Sequence, residues 1–129
     1  MNVTPFLMFE GRCEEAMNFY ISLFPGATVD MISRYGPGMP GREGSVLQAR
    51  FTVAGQAIMA IDSHVHHAFT FTPAFSLFVN CDSEEELDGI FAKLSDGGSV
   101  LMPVANYGFS RKFGWTNDRY GVSWQINLP

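Results

Sequence analysis

The sequence predicts an α+β fold of two βαβββ modules, one helix in each, whose strands make a curved, mixed eight-stranded sheet around a small-molecule pocket. Three observations predict it. Hydrophobic spacing switches between strand and helix periods in the order β-α-β-β-β, then a short irregular stretch, then the same order again. The halves align at a constant offset, with Leu7 meeting Leu77, Glu14 meeting Glu84, Glu15 meeting Glu85, Met17 meeting Leu87, Tyr20 meeting Ile90 and Phe24 meeting Leu94. Hydrophobic residues make up 47% of the 129 and charged residues 16%, which supplies a core and gives no sign of disorder. A repeat this long, present twice, reads as a duplicated unit rather than a solenoid.

Residues 3–9 form an apolar run with Pro5 near its start, an edge strand. Residues 13–24 carry Ala16, Met17, Tyr20, Leu23 and Phe24 on one helical stripe, with Glu14 and Glu15 in the first turn. Pro25-Gly26 ends that helix. Residues 28–35 are β-like, and 36–44 are a Gly/Pro-rich loop, read as a flap over the pocket. Residues 45–53 alternate, with Leu47, Ala49, Phe51 and Val53 on one face and Gln48, Arg50 and Thr52 on the other. Ala54-Gly55 turns the chain into a hairpin partner at 56–62.

Residues 63–72 are irregular, hold all three histidines and read as a linker between module one (1–62) and module two (73–129) of a single domain. Residues 74–80 are a strand. A helix over 83–94 buries Leu87, Ile90, Phe91 and Leu94, and Ser83 with Glu86 is spaced for a capping box. Strands over 99–105, 109–116 and 122–128 complete the second module, the last two joined through Asn117-Asp118-Arg119-Tyr120-Gly121, where Asp118 reads as a turn residue.

The formal net charge of −5 argues against nucleic acid and against an anionic membrane surface as partners. The first residues lack a basic region and an apolar signal core, and no window is apolar for long enough to cross a membrane, so the cytoplasm is the expected location. Cys13 and Cys81 are isolated, which excludes a Cys-x-x-Cys zinc site and reads as two inert buried thiols.

Several motifs resemble one family. They are Thr4-Pro5-Phe6-Leu7-Met8-Phe9, Glu15-Ala16-Met17-Asn18-Phe19-Tyr20 with Phe24-Pro25, and Arg34-Tyr35-Gly36. Pro40-Gly41, Glu43-Gly44-Ser45-Val46, Phe113-Gly114-Trp115 and Asp118-Arg119-Tyr120-Gly121-Val122-Ser123-Trp124-Gln125 continue the match over nearly the whole chain. The chain resembles the vicinal oxygen chelate superfamily (glyoxalase I, bleomycin-resistance proteins, extradiol dioxygenases), and within it the PhnB-like, "3-demethylubiquinone-9 3-methyltransferase-like" branch. The resemblance implies a glyoxalase-like fold and a homodimer. It also implies a divalent ion held by His on the first strand of a module and by Glu or His on late strands. Here residues 3–9 and 74–80 carry neither His nor carboxylate, and the late-strand position is Gln125, a poor ligand. No cofactor is therefore expected, a divalent metal being the disfavoured alternative.

Gln125 and Ser123 share the polar face of the last strand and should look into the pocket. Tyr35, Arg50 and Trp115 are the other wall candidates, whereas Trp124 suits the core. A weaker metal alternative uses Asp62, His64 and His66. The Gly-rich stretch at 36–41 precedes a strand, not a helix, and lacks a P-loop ending, so methyl transfer with S-adenosylmethionine is not expected. The function implied is metal-independent binding of a small molecule. The alternative is an enzyme of the same superfamily, with a divergent metal site or no metal.

Overall fold

Helix and strand alternate in the order the periodicity predicts: β1 (Phe6–Phe9), α1 (Cys13–Leu23), β2 (Thr28–Arg34), β3 (Val46–Val53), β4 (Gln56–Asp62), β5 (Ser76–Asn80), α2 (Glu84–Ser95), β6 (Ser99–Ala105), β7 (Lys112–Asn117) and β8 (Ser123–Leu128). The computed structural model describes residues 1–129 and falls into two units, Met1–His67 and Ala68–Pro129. The eight strands divide into two four-stranded sheets, β1-β4-β3-β2 and β5-β8-β7-β6. In both, the first strand runs parallel to the last and the other pairings are antiparallel. No helix is long and apolar enough to cross a membrane.

In the first unit, α1 packs on β3 and β4. Its stripe of Cys13, Ala16, Met17, Tyr20 and Leu23 is buried, and Tyr20 stacks on Phe51 with ring centroids 6.3 Å apart. Leu7, Phe9, Ala49, Phe51, Ile58 and Ala60 complete this core. Strand β1 starts only at Phe6, because Pro5 has no N–H for a ladder, and its carbonyl accepts from the Met59 N–H at 2.9 Å. Leu47, expected in the core, is 36% exposed, whereas Val46 is 1% exposed. Ser33 pairs with Gln48 and Arg34 with Val46, so Leu47 is the extra residue of a bulge that turns the strand's first residues over.

In the second unit, α2 lies against β6, β7 and β8. The Ser83 hydroxyl accepts from the Glu86 N–H at 3.1 Å, and the Glu86 carboxylate accepts from the Asp82 N–H at 3.1 Å. The box thus reaches one residue further out than its usual form. Leu87, Ile90, Phe91 and Leu94 are buried with Trp124, Ile126 and Leu128. Gly114 is required here, since a Cβ would lie 2.5 Å from the Phe91 ring. Strand β7 starts at Lys112, later than the apolar pattern at 109 implies. The Phe109 ring stacks on Tyr107 and meets Phe113 edge-on at 5.0 Å, ahead of the ladder rather than within it.

The β3–β4 hairpin turns through Ala54 (φ 48°) and Gly55 (φ 81°), a two-residue turn with both residues left-handed. Ala is the costly choice there, because its Cβ meets the following carbonyl oxygen. Ala54→Asn should raise unfolding free energy by about 1 kcal/mol, read from the midpoint of a urea titration at unchanged slope.

Candidate functional site

The polar groups of the first unit are organised by Asp62, the last residue of β4 and only 3% exposed. Helix α1 has no side-chain cap of its own at Arg12. The Asp62 carboxylate supplies one from across the sheet. Oδ1 accepts from the Gly11 N–H at 2.7 Å and the Cys13 N–H at 3.0 Å, and Oδ2 accepts from the Val46 N–H at 3.0 Å. One carboxylate therefore joins the start of the helix to the start of β3. The Tyr35 hydroxyl donates to the Asp62 carbonyl at 3.1 Å, and the Tyr35 ring is met edge-on by His64. A Cβ on Gly41 would fall 2.5 Å from that ring, so the Gly-rich loop is seated on Tyr35 rather than standing off as a flap.

Asp62, His64 and His66 do not converge on a common point. Both Asp62 oxygens are taken by backbone N–H groups, His64 faces Tyr35, and His66 Nδ1 lies 2.7 Å from Glu10. That hydrogen bond from His66 holds the exposed Glu10 carboxyl below its ordinary range. No group of three or more His, Cys, Asp or Glu is arranged to hold a metal ion. A cleft of about 430 Å³ opens beside these residues, lined among others by Glu10, Glu14, Arg42, Glu43 and His64. Glu14 is already held there by the two terminal guanidinium nitrogens of Arg34 at 2.6 and 2.8 Å. Arg50 lies on the other face of this sheet, paired with Met59 and Met31, and is exposed.

Both cysteines are buried. Burial first, then the Asp62 charge, pushes the Cys13 thiol up to about 12. The field of the helix N-terminus, which could have favoured a thiolate, is spent on Asp62 instead. Burial likewise takes Cys81 to about 11, with Glu86 and Asp82 adding to it.

Trp115, Ser123 and Gln125 come together in the second unit. Gly114 and Thr116 of β7 and Trp124, Ile126 and Leu128 of β8 turn toward α2, so strand alternation sends Phe113, Trp115 and Asn117 with Ser123, Gln125 and Asn127 to the opposite face. The parallel register of β5 adds Ser76 beside Ser123, Phe78 beside Gln125 and Asn80 beside Asn127. Three rows result: Ser76–Ser123–Asn117, Phe78–Gln125–Trp115 and Asn80–Asn127–Phe113. None of the nine side chains is charged.

Within this face the Trp115 indole N–H donates to the Ser123 hydroxyl at 2.8 Å, and the Ser123 and Ser76 hydroxyls share a bond of 2.7 Å. Asn127 Nδ2 donates to Asn80 Oδ1 at 2.9 Å. Phe78 is 54% exposed and lies 6.4 Å from Phe113, which also meets Tyr107 and Phe109 edge-on. The middle row therefore sets an amide between two aromatic side chains, half-exposed, beside a wider group of rings. Alternation along the last strand already puts Asn127 on the face of Ser123 and Gln125, whereas Phe78, Asn80 and Asn117 escaped the sequence reading; the register between β5 and β8, joining residues 47 apart (Ser76 and Ser123), is what brings two of them in. Asp118 is the turn residue its context predicted. Its Oδ1 accepts from the Tyr120 and Val122 N–H groups, and its Oδ2 accepts from the Trp124 indole at 2.9 Å, which fixes that indole in the core.

The family described as 3-demethylubiquinone-9 3-methyltransferase matches residues 1–127. The chain is similar over its whole length to a solved PhnB protein of Bacillus cereus that carries the same methyltransferase description, at 57% identity, with all of both chains covered and a TM-score of 0.97. It is 26% identical to protein YjdN of Escherichia coli, over 99% of this chain and 95% of that one. A glyoxylase/bleomycin resistance protein/dioxygenase domain from Frankia shares the fold at 13% identity and a TM-score of 0.66, covering 99% of this chain and 91% of that one.

Two outcomes follow from the first unit and the thiols. Asp62→Ala leaves three backbone N–H groups without their acceptor and should cost about 3 kcal/mol in urea unfolding. Cys13 and Cys81 should both resist iodoacetamide at pH 8 in the folded protein and alkylate readily in urea, as followed by intact mass.

Proposed function

The chain belongs to the family described as 3-demethylubiquinone-9 3-methyltransferase and has the glyoxalase/bleomycin resistance/dioxygenase fold, and on that premise we propose that it binds a small organic molecule, without a metal ion, on the uncharged face of β5, β8 and β7. The observation that carries this reading is the middle row of that face, Gln125 between Trp115 and Phe78. Aromatic faces supply apolar area at little conformational cost, and a single amide fixes orientation, which is the usual composition of a small-molecule site.

The donor set does not fit a divalent ion. Strands β1 and β5 read Phe-Leu-Met-Phe and Ser-Leu-Phe-Val-Asn, without imidazole, thiolate or carboxylate. The nine residues of the face, Gln125 among them, offer only amides, hydroxyls and rings, and borderline divalent ions prefer the groups that are missing. The family's description is not carried over as an activity. The Gly-rich loop after Tyr35 leads into strand β3, so there is no helix N-terminus behind it to receive a nucleotide-like cofactor.

The test has two arms. The purified protein, dialysed against Zn²⁺, Ni²⁺ or Mn²⁺ and then against buffer, should retain far less than one equivalent of metal by mass spectrometry; one equivalent retained would overturn the metal-free reading. A screen of neutral aromatic fragments by ¹H–¹⁵N correlation spectra should move the Trp115 indole and Gln125 amide signals, with Trp115→Ala weakening binding about tenfold, the loss of a stacked ring. Fragments that move only signals around Glu10 and His64 would place the site in the other unit and sink the proposal.

A further inference from the structure

We infer that the molecule taken up on this face is neutral and planar and binds by donating hydrogen bonds rather than by presenting an anion. The inference rests on the binding reading above and adds the chemical class of the ligand. It follows from an inventory of what the face has left over once its internal bonds are made.

No buried side-chain donor is left without a partner. The Trp115 indole N–H is spent on Ser123, and the two serine hydroxyls share one bond between them. One N–H of the Asn127 amide is spent on Asn80. Two buried acceptors are not used. Asn127 Oδ1 is buried with no partner in a residue only 8% exposed, and Asn117 Oδ1 is buried without one as well. Buried polar atoms in folded proteins are almost always satisfied, so an orphan on a face read as a binding site points to a group that arrives with the ligand or with a water it orders. Gln125 adds a carbonyl and an amide at the centre of the same face. The buried atoms left open, Asn117 Oδ1 and Asn127 Oδ1, are thus both acceptors, and a ligand carrying O–H or N–H groups complements them.

Charge decides against an anion. The three rows hold no cation, and the positive side chains closest in sequence are engaged elsewhere. Lys112 is paired with Asp88 at 2.9 Å, Arg119 with Asp96 at 3.4 Å, and Arg111 Nε donates to the Pro129 carbonyl at 2.6 Å. The formal net charge of −5 adds repulsion at long range. An anion brought here would lose its hydration and gain no counter-charge. Planarity follows from the rings that flank Gln125, since Trp115 and Phe78 offer flat faces and the adjoining Phe113, Tyr107 and Phe109 extend the aromatic surface.

The experiment compares three probes of one shape: 2-naphthol, 2-methoxynaphthalene and 2-naphthoate. Each is titrated into the full chain at pH 7 and followed by the Trp115 indole and Gln125 amide signals. The naphthol should bind about fivefold or more tightly than the methoxy compound and about tenfold or more tightly than the carboxylate, the range that one hydrogen bond and one uncompensated charge command. In Gln125→Leu the naphthol's advantage over the methoxy compound should fall to about twofold or less, with the spectrum otherwise keeping its dispersion. Equal binding of naphthol and methoxy compound, preference for the carboxylate, or an unchanged preference in Gln125→Leu would overturn the ligand class while leaving the binding site in place. If none of the three moves those two signals up to its solubility limit, the site itself is refuted, and the ligand class with it.

Discussion

Each sheet in this chain carries one helix, and so each has one face that must be buried and one that need not be. That constraint governs the candidate site. A side chain in a strand has only two directions to choose from, so committing Trp124, Ile126 and Leu128 to α2 commits Ser123, Gln125 and Asn127 to the other side. The composition of the free face is then not under selection for packing against a helix. It carries three amides, two hydroxyls and three rings besides the central Gln125, a mixture that would be a poor core and is a serviceable lining for a polar aromatic molecule.

The acidic residues that draw attention in the sequence turn out to be structural. Asp62 and Asp118 are both 3% exposed, and both accept backbone N–H groups at the start of an element. A buried carboxylate that is fully hydrogen-bonded repays its desolvation and fixes several groups at once. Asp62 performs the task that a Ser or Asp N-cap performs for most helices, but from the end of β4. Asp118 gathers the β7–β8 turn and the Trp124 indole. Carboxylates committed in this way are poor candidates for ligating a metal or moving a proton, and the histidines near Asp62 are dispersed among Tyr35, Glu10 and Ser63.

The same logic separates the two tryptophans. Trp124 finds a partner for its indole N–H in the core and is fully buried. Trp115 finds its partner on the free face, in Ser123, and stays partly exposed. Burying an indole requires an acceptor, and each tryptophan finds one on the side of the sheet to which strand alternation sends it.

The sequence by itself determined the order of elements, the duplication, the buried stripe of each helix and the cap at Ser83, because all of these are written in periods of two or 3.6 and in neighbours within a few residues. It also determined the face on which Ser123 and Gln125 lie, and that no first strand brings an imidazole or carboxylate. Only the tertiary structure decided what stands beside Gln125. Strand register is an agreement between segments far apart in the chain, so the meeting of Phe78, Asn80 and Asn127 has no local signature, and neither has the bulge that exposes Leu47. It also decided that Tyr35 is a seat for the Gly-rich loop and that Asp62 is a cap, since both roles depend on backbone groups brought in from other elements, which residue identity does not encode.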